Sequence, residues 1–288
     1  MKITKKSGLI GIASFCIVLF TMPIGHGLMI LMEHYLKGAM LNYVAFGMGL
    51  VGLIMTLYGI SAKGDTKQTL WGLFGGLLYW TGWIEFIFVY YSHRFGVQPL
   101  MENGEVVTKP EYLIMPSSFG FWVMFLLLYI FSIQTGCDFI NWVQRLLRRN
   151  HHNIMKVKPI ARHISVVTFL ELNLILWTSY LLLLFIYDKN FIGDHNPITL
   201  IIGFACLIGS FFMFPKLLRY QSWGPAIRYA IPTVIVFWTF VEVMGRKNFL
   251  REIWVEPIEY KVEMISLLVC LVLLVLYVII RQSYHKKA

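Results

Sequence analysis

The chain has few charged residues. Only 14% of its 288 residues are charged, whereas 58% are hydrophobic and 16% are aromatic. A soluble domain has roughly a quarter of its residues charged. The shortage of charge excludes an ordinary soluble protein and indicates an integral membrane protein.

Cysteine is scarce as well. The chain has four cysteines, all inside apolar runs and none in C-x-x-C spacing: Cys16, Cys137, Cys206 and Cys270. This pattern argues against a disulfide framework and against a zinc site. Buried free cysteines usually serve as small apolar side chains.

The chain also lacks a polar linker long enough to separate soluble domains, and it contains no recognisable catalytic motif. It does contain apolar runs of about 18 residues or more, enough to cross a hydrocarbon core of about 30 Å. We therefore predict an all-α polytopic membrane protein, a single transmembrane domain over residues 1–288. Its eight predicted transmembrane helices cover 8–32, 40–62, 68–91, 118–140, 164–187, 197–214, 225–245 and 262–281.

The positive residues predict the orientation of these helices. Lysine and arginine resist translocation, and most of the 25 fall in segments on the same side as the N-terminus. We therefore expect both termini to be cytoplasmic in a multi-pass protein of the plasma (inner) membrane. The basic loop 145–163 carries six Lys or Arg and no acid. It is predicted to contact anionic lipid, with a phosphorylated ligand or cytoplasmic partner as the alternative and no role in nucleic-acid binding.

Two outer connections have patterns of their own. Residues 97–115 place Asn103-Gly104 between short apolar segments, which predicts a β-hairpin lying as a lid over the outer helix ends. The connection 245–261 mixes apolar and charged residues at helical spacing. This mixture predicts an interfacial helix.

Two strings indicate an internal duplication. The string "YWTGWIE" at 79–85 resembles "FWTFVE" at 237–242 after removal of one residue, and both tryptophans precede a proline by 19 positions. The same offset superposes the first span on the fifth. We predict a 4+4 parallel repeat with halves 1–150 and 151–288, related by an axis along the membrane normal.

Three ionisable residues mark the predicted site. A charge at bilayer depth is disfavoured by at least about 2.5 kcal/mol, so it normally faces the bundle interior and has a partner. Counted along their helices, His26, Glu85 and Glu242 reach a similar depth in the outer third of the bilayer. They are predicted to meet there as metal ligands or as proton-handling groups, with Glu85 and Glu242 as the catalytic pair. A threonine one turn before each acid, Thr81 or Thr239, is expected to support it.

A second tier is predicted nearer the outside. His34 lies eight residues beyond His26, and His93 lies eight beyond Glu85, which is about 12 Å along a helix axis. One metal ion cannot bridge that distance, so His34 and His93 are predicted to bind a cofactor separately or to gate access. Bis-histidine haem ligation is one form of this hypothesis.

These observations predict an outward-facing site for a metal or cofactor, with redox chemistry or chemistry on a lipid-soluble substrate. The favoured cofactor is iron or copper, with haem second; a membrane-bound metal-dependent oxidoreductase is the corresponding enzyme class. The first alternative is a proton- or ion-coupled transporter in which Glu85, Glu171 and Glu242 carry the proton. The second is a structural subunit of a membrane complex, in which His26 and Glu85 form a buried packing pair.

Overall fold

The fold is built almost entirely from helices. A computed structural model describes residues 3–102, 105–132, 138–147 and 163–285. The first half contains α1 Lys5–Tyr35, α2 Ala39–Ser61, α3 Asp65–Tyr79, α4 Phe86–Arg94, α5 Pro110–Ile114, α6 Phe119–Ser132 and α7 Asp138–Leu147. The second half contains α8 Ile164–Tyr187, α9 Pro197–Leu217, α10 Trp223–Arg246 and α11 Lys261–His285.

Within the described residues, seven helices are long and apolar enough to cross a membrane. They cover Lys5–Tyr35, Ala39–Ser61, Asp65–Arg94, Ile164–Tyr187, Pro197–Leu217, Trp223–Arg246 and Lys261–Gln282. The protein is therefore a multi-pass helical membrane protein. The predicted span at 118–140 corresponds to α6, which has 14 residues, and residues 133–137 lie outside the described part. Most of the predicted lipid-binding loop 145–163 lies outside it as well.

The third spanning helix has an irregular centre. Between α3 and α4 the backbone forms a π-helix over Trp80–Glu85. A π-helix takes one more residue per hydrogen-bonded turn than an α-helix, and such segments are frequent at functional sites. The extra residue that distinguishes "YWTGWIE" from "FWTFVE" lies within this π-helix, whereas the second string lies on the regular helix α10.

Helix α10 lies at the centre of the bundle. It packs against α1, α3, α8 and α9, and it buries most of its length. By contrast α9 and α11 leave large apolar side chains exposed, among them Phe211, Phe212 and Leu273. Such surfaces suit contact with lipid, because lipid tails are as apolar as the side chains that face them.

The neighbours of α3 and of α10 correspond in the way that a parallel repeat predicts. Helix α3 packs on α2 and α8, and α10 packs in the same way on α9 and α1. These neighbours correspond when the first span is superposed on the fifth and the second on the sixth. The repeat itself stays a prediction.

A partly buried ion pair joins the two halves near one end of the bundle. Arg228 of α10 donates to both carboxylate oxygens of Asp65 at the start of α3, at 2.6 and 3.0 Å, and to Thr69 Oγ1 at 2.5 Å. The Arg228 side chain is 9% exposed. A buried guanidinium needs such partners, because an unpaired charge there would be strongly disfavoured.

The hairpin predicted within 97–115 is present. Strands β1 Leu100–Glu102 and β2 Glu105–Thr108 pair antiparallel and lead into α5. The interfacial helix predicted for 245–261 is wrong, because a series of turns connects α10 to α11 there. Residues of this connection pack inward on the bundle, as the burial of Trp254 shows, so their apolar spacing reflects packing and not a helix face.

Candidate functional site

A cavity of about 380 Å³ opens between α1, α3, α8 and α10. Its walls are mostly aliphatic and aromatic. Its lining also includes residues of strand β2, of α5 and of the α10–α11 connection. The predicted lid therefore does border a cavity. Ligand pockets are commonly 300–1,000 Å³, with apolar walls and a few polar groups that fix orientation.

Glu85 and His26 face each other in this cavity. Glu85 ends the π-helix and its side chain is 5% exposed; His26 Nδ1 lies 3.6 Å from its Oε1. Helices α1 and α3 lie close together at Gly25, where an added Cβ would lie 2.8 Å from Leu77 Cδ1. The predicted partnership of His26 and Glu85 is thus present in the structure.

Glu242 lines the same cavity from α10, but its partner differs from the predicted one. Trp238 Nε1 donates to Glu242 Oε1 at 2.7 Å, one helical turn away. Thr239 instead hydrogen-bonds to Ser179 of α8 and to the backbone of α10. Glu242 therefore enters the cavity with one oxygen held by an indole.

The two predicted repeat strings contribute matching residues to the cavity. Trp80 and Glu85 line it from the third span, and Trp238 and Glu242 line it from the seventh. Sites between repeat halves are common in membrane proteins built from duplications. The arrangement puts two acids and two indoles around one space.

Tyrosines form one aromatic wall. The Tyr180 ring stacks on Tyr112 with centroids 6.1 Å apart, and it lies 5.3 Å from the Trp80 ring. Burial, together with nearby Tyr180 and Glu85, raises the pKa of Tyr112 well above its ordinary value. The Tyr112 phenol therefore stays protonated and can donate a hydrogen bond into the cavity.

Charged residues gather at the end of the cavity that the β-hairpin and the α10–α11 connection cover. Lys109 lines the cavity where β2 leads into α5, and its charge acts on both His26 and Glu85. Arg246 reaches the hairpin, donating to the Val107 carbonyl and to Thr108 Oγ1 at 3.0 Å. Glu252 lines the cavity from the α10–α11 connection. This end of the cavity is therefore polar, whereas the walls between the helices are apolar.

The predicted outer tier does not join this cavity. His34 and His93 are exposed in the last turns of α1 and α4, and neither lines it. The His34 ring packs edge-on against Tyr35. The structure therefore separates these two residues from the cavity that contains His26.

The three predicted metal ligands share a cavity but do not form a metal cluster. Among the described residues, no three or more His, Cys, Asp or Glu side chains are grouped so as to hold a metal ion. Glu85 faces His26, whereas Glu242 is turned to Trp238. The geometry of these three residues thus gives no support to a metal centre.

Sequence reasoning missed several cavity residues. They are Lys109, Tyr112, Tyr180, Tyr187, Arg246, Glu252 and Trp254. One signal was present for Trp238, which precedes Glu242 by four residues and can therefore reach it on a helix. The tyrosines had no such signal, because aromatic residues occur throughout the spans.

Comparison of the chain with known protein families, with curated proteins and with solved structures finds no match.

Proposed function

We propose that this protein binds a lipid-soluble molecule in the aromatic cavity and handles protons at its polar group. The body of the molecule lies between the tyrosine and tryptophan walls, and its polar group lies at His26 and Glu85. The observation that carries the proposal is the convergence of His26, Glu85 and Glu242, from three helices, on one largely apolar cavity.

The His26–Glu85 pair suits proton exchange with a bound ligand. The imidazole Nδ1 and the carboxylate Oε1 lie 3.6 Å apart, just beyond hydrogen-bond distance, so a small movement brings them into a hydrogen bond with each other or with a third group. The pair is shielded from water, so its electrostatic effect on a ligand is stronger than at a surface. Glu242 supplies a second acid to the same ligand, steadied by Trp238.

The walls favour a molecule with a flat or apolar body. Rings of Tyr112, Tyr180 and Trp80 form a continuous aromatic surface, and aromatic side chains offer large contact areas with defined geometry. An apolar ligand reaches such a cavity from the bilayer, where it is already concentrated. The redox chemistry and the outward orientation predicted from the sequence remain predictions.

The transporter alternative receives less support. It requires Glu171 to act with Glu85 and Glu242, but Glu171 does not line this cavity and accepts a hydrogen bond from Tyr129 at 2.9 Å. Glu171 therefore does not share this cavity with Glu85 and Glu242.

Native mass spectrometry tests the proposal. The protein purified in a mild detergent should release a copurifying lipid-soluble molecule, identified after organic extraction. Leu184→Trp, in the cavity wall, should remove it, because the indole fills the space. Leu276→Trp on the exposed face of α11 is the matched control and should retain it. Equal retention by both variants would show that the cavity is not the binding site.

A further inference from the structure

A second cavity lies at the opposite end of the bundle. Its volume is about 660 Å³, and it lies between the start of α1, the α2–α3 connection, the start of α10 and the end of α11. Ile10 lines it and His26 lines the aromatic cavity. These residues are separated by about 24 Å along α1, so the two cavities are distinct.

Among the described residues that line this second cavity, five side chains are basic and none is acidic. The basic residues are Lys5, Lys6, Lys63, Lys67 and Arg281. The nearest acid in sequence, Asp65, has both carboxylate oxygens bound to Arg228. Asp65 therefore contributes little to balancing the lysines on either side of it.

This arrangement of charge favours the binding of an anion. Lys5, Lys63, Lys67 and Arg281 place like charges around one space, where they repel each other, and a bound anion relieves that repulsion. The neutral lining adds hydrogen-bonding side chains, Gln221 and Ser222, which can also contact phosphate oxygens. Leu9, Trp223 and Tyr277 provide an apolar side to the same cavity.

We propose that this cavity binds a phosphate-bearing anion. The ligand is either the head group of an anionic phospholipid or a soluble phosphate compound, and in both the phosphate oxygens lie against the lysines. The lipid source accounts for the apolar side, since acyl chains can lie against Leu9 and Tyr277. The cavity also lies where spanning helices end, at the level of lipid head groups.

This site is independent of the proposed function of the aromatic cavity. The cations that form it are also different residues from the basic residues of the loop 145–163. It brings together cations from three separate parts of the chain, and that juxtaposition exists only in the folded protein.

Binding measurements on the full-length protein in detergent micelles test the proposal. The three probes are phosphatidylglycerol, phosphatidylcholine and inorganic pyrophosphate. The variant Lys63→Gln/Lys67→Gln removes two cations that line the cavity. The control Lys37→Gln/Arg219→Gln removes the same charge from exposed positions that do not line it.

We expect phosphatidylglycerol or pyrophosphate to bind, and the cavity variant to weaken that binding about thirtyfold. This estimate takes roughly fivefold for each cation near a membrane surface. The control should change binding less than threefold, and Lys63→Arg/Lys67→Arg should restore it. Binding of phosphatidylglycerol without competition from pyrophosphate identifies the lipid source, whereas binding of pyrophosphate identifies the soluble source.

Two results overturn the proposal. One is equal affinity for phosphatidylglycerol and phosphatidylcholine together with no binding of pyrophosphate. The other is an equal loss of binding in the cavity variant and the control, which would show that total charge and not the cavity attracts the anion. Circular dichroism of each variant confirms that it is folded before it is compared.

Discussion

Arg246 donates two hydrogen bonds to one carboxylate oxygen of Asp194, from Nε at 3.0 Å and from Nη2 at 2.7 Å. Asp194 belongs to the α8–α9 connection, and the same guanidinium also holds the end of strand β2 and lies over the Tyr187 ring. One side chain of α10 thus fastens the hairpin over the aromatic cavity.

Replacing Arg246 should loosen the hairpin. In Arg246→Gln we expect faster hydrogen–deuterium exchange over residues 105–108 and a loss of about 1.5–3 kcal/mol of stability, the usual contribution of hydrogen bonds to a charged group. Arg94→Gln is the control, because Arg94 is exposed just before the hairpin and does not contact Asp194. Unchanged exchange in Arg246→Gln would mean that the hairpin is held by other contacts.

Glu85→Gln should weaken binding of the copurifying molecule by roughly 10- to 100-fold, because it removes the carboxylate that the proposed function places against the polar group of that molecule, and a hydrogen bond to a charged group contributes about 1.5–3 kcal/mol. Occupancy measured by native mass spectrometry checks this. Glu263→Gln, on an exposed position of α11, is the control and should retain the molecule. If both variants bind equally, the carboxylate at position 85 serves packing alone.

Gly82→Ala should disturb the π-helix. A Cβ at Gly82 would overlap the backbone of Ala45 and Gly49 on α2, whereas a Cβ at Gly47 would meet nothing within 4 Å. Overpacking of this kind costs about 1–3 kcal/mol. Thermal unfolding in detergent should therefore show a lower midpoint for Gly82→Ala and little change for Gly47→Ala. Equal midpoints would show that α2 moves aside without a loss of stability.

Glu252 should make stability depend on pH. Burial raises the pKa of Glu252, partly opposed by the Arg246 charge. A raised folded-state pKa means that the folded protein holds this proton more tightly than the unfolded chain does. Stability from this group is therefore present below the ordinary glutamate value of about 4.3 and is lost as pH rises through the folded-state pKa.

The variant Glu252→Gln should remove this part of the pH dependence, so that its unfolding midpoint falls less than that of the wild type between pH 4 and pH 8, the range of the measurement. Glu256→Gln is the control on the same connection, at an exposed position. The prediction is wrong if the unfolding midpoint of Glu252→Gln falls more than that of the wild type between pH 4 and pH 8, the range of the measurement.

Cysteine labelling in intact cells tests the orientation, in a background with the four native cysteines replaced. A cysteine at Asn190, in the α8–α9 connection, should react with a membrane-impermeant reagent, whereas one at Gln221 should react only after permeabilisation. The reason is that lysine and arginine concentrate on the side that contains Gln221. Labelling of the Gln221 position in intact cells would reverse the predicted topology.

The sequence by itself determined the membrane class, the positions of seven spanning helices and the partnership of His26 with Glu85. These features follow from local rules. A bilayer requires a minimum length of apolar chain, and it makes an isolated charge costly enough to need a partner. The hairpin was likewise visible, because Asn-Gly between two short apolar segments favours a tight turn.

The tertiary structure alone decided which faces meet. Every side of an apolar helix looks alike in sequence, because lipid and the bundle interior favour the same side chains. Hence the stacking of Tyr180 on Tyr112 and the contribution of Tyr187 and Trp254 to the same cavity could not be read from spacing. The basic cavity is the clearest case, because its cations come from segments far apart in the chain, and only helix packing brings them around one space.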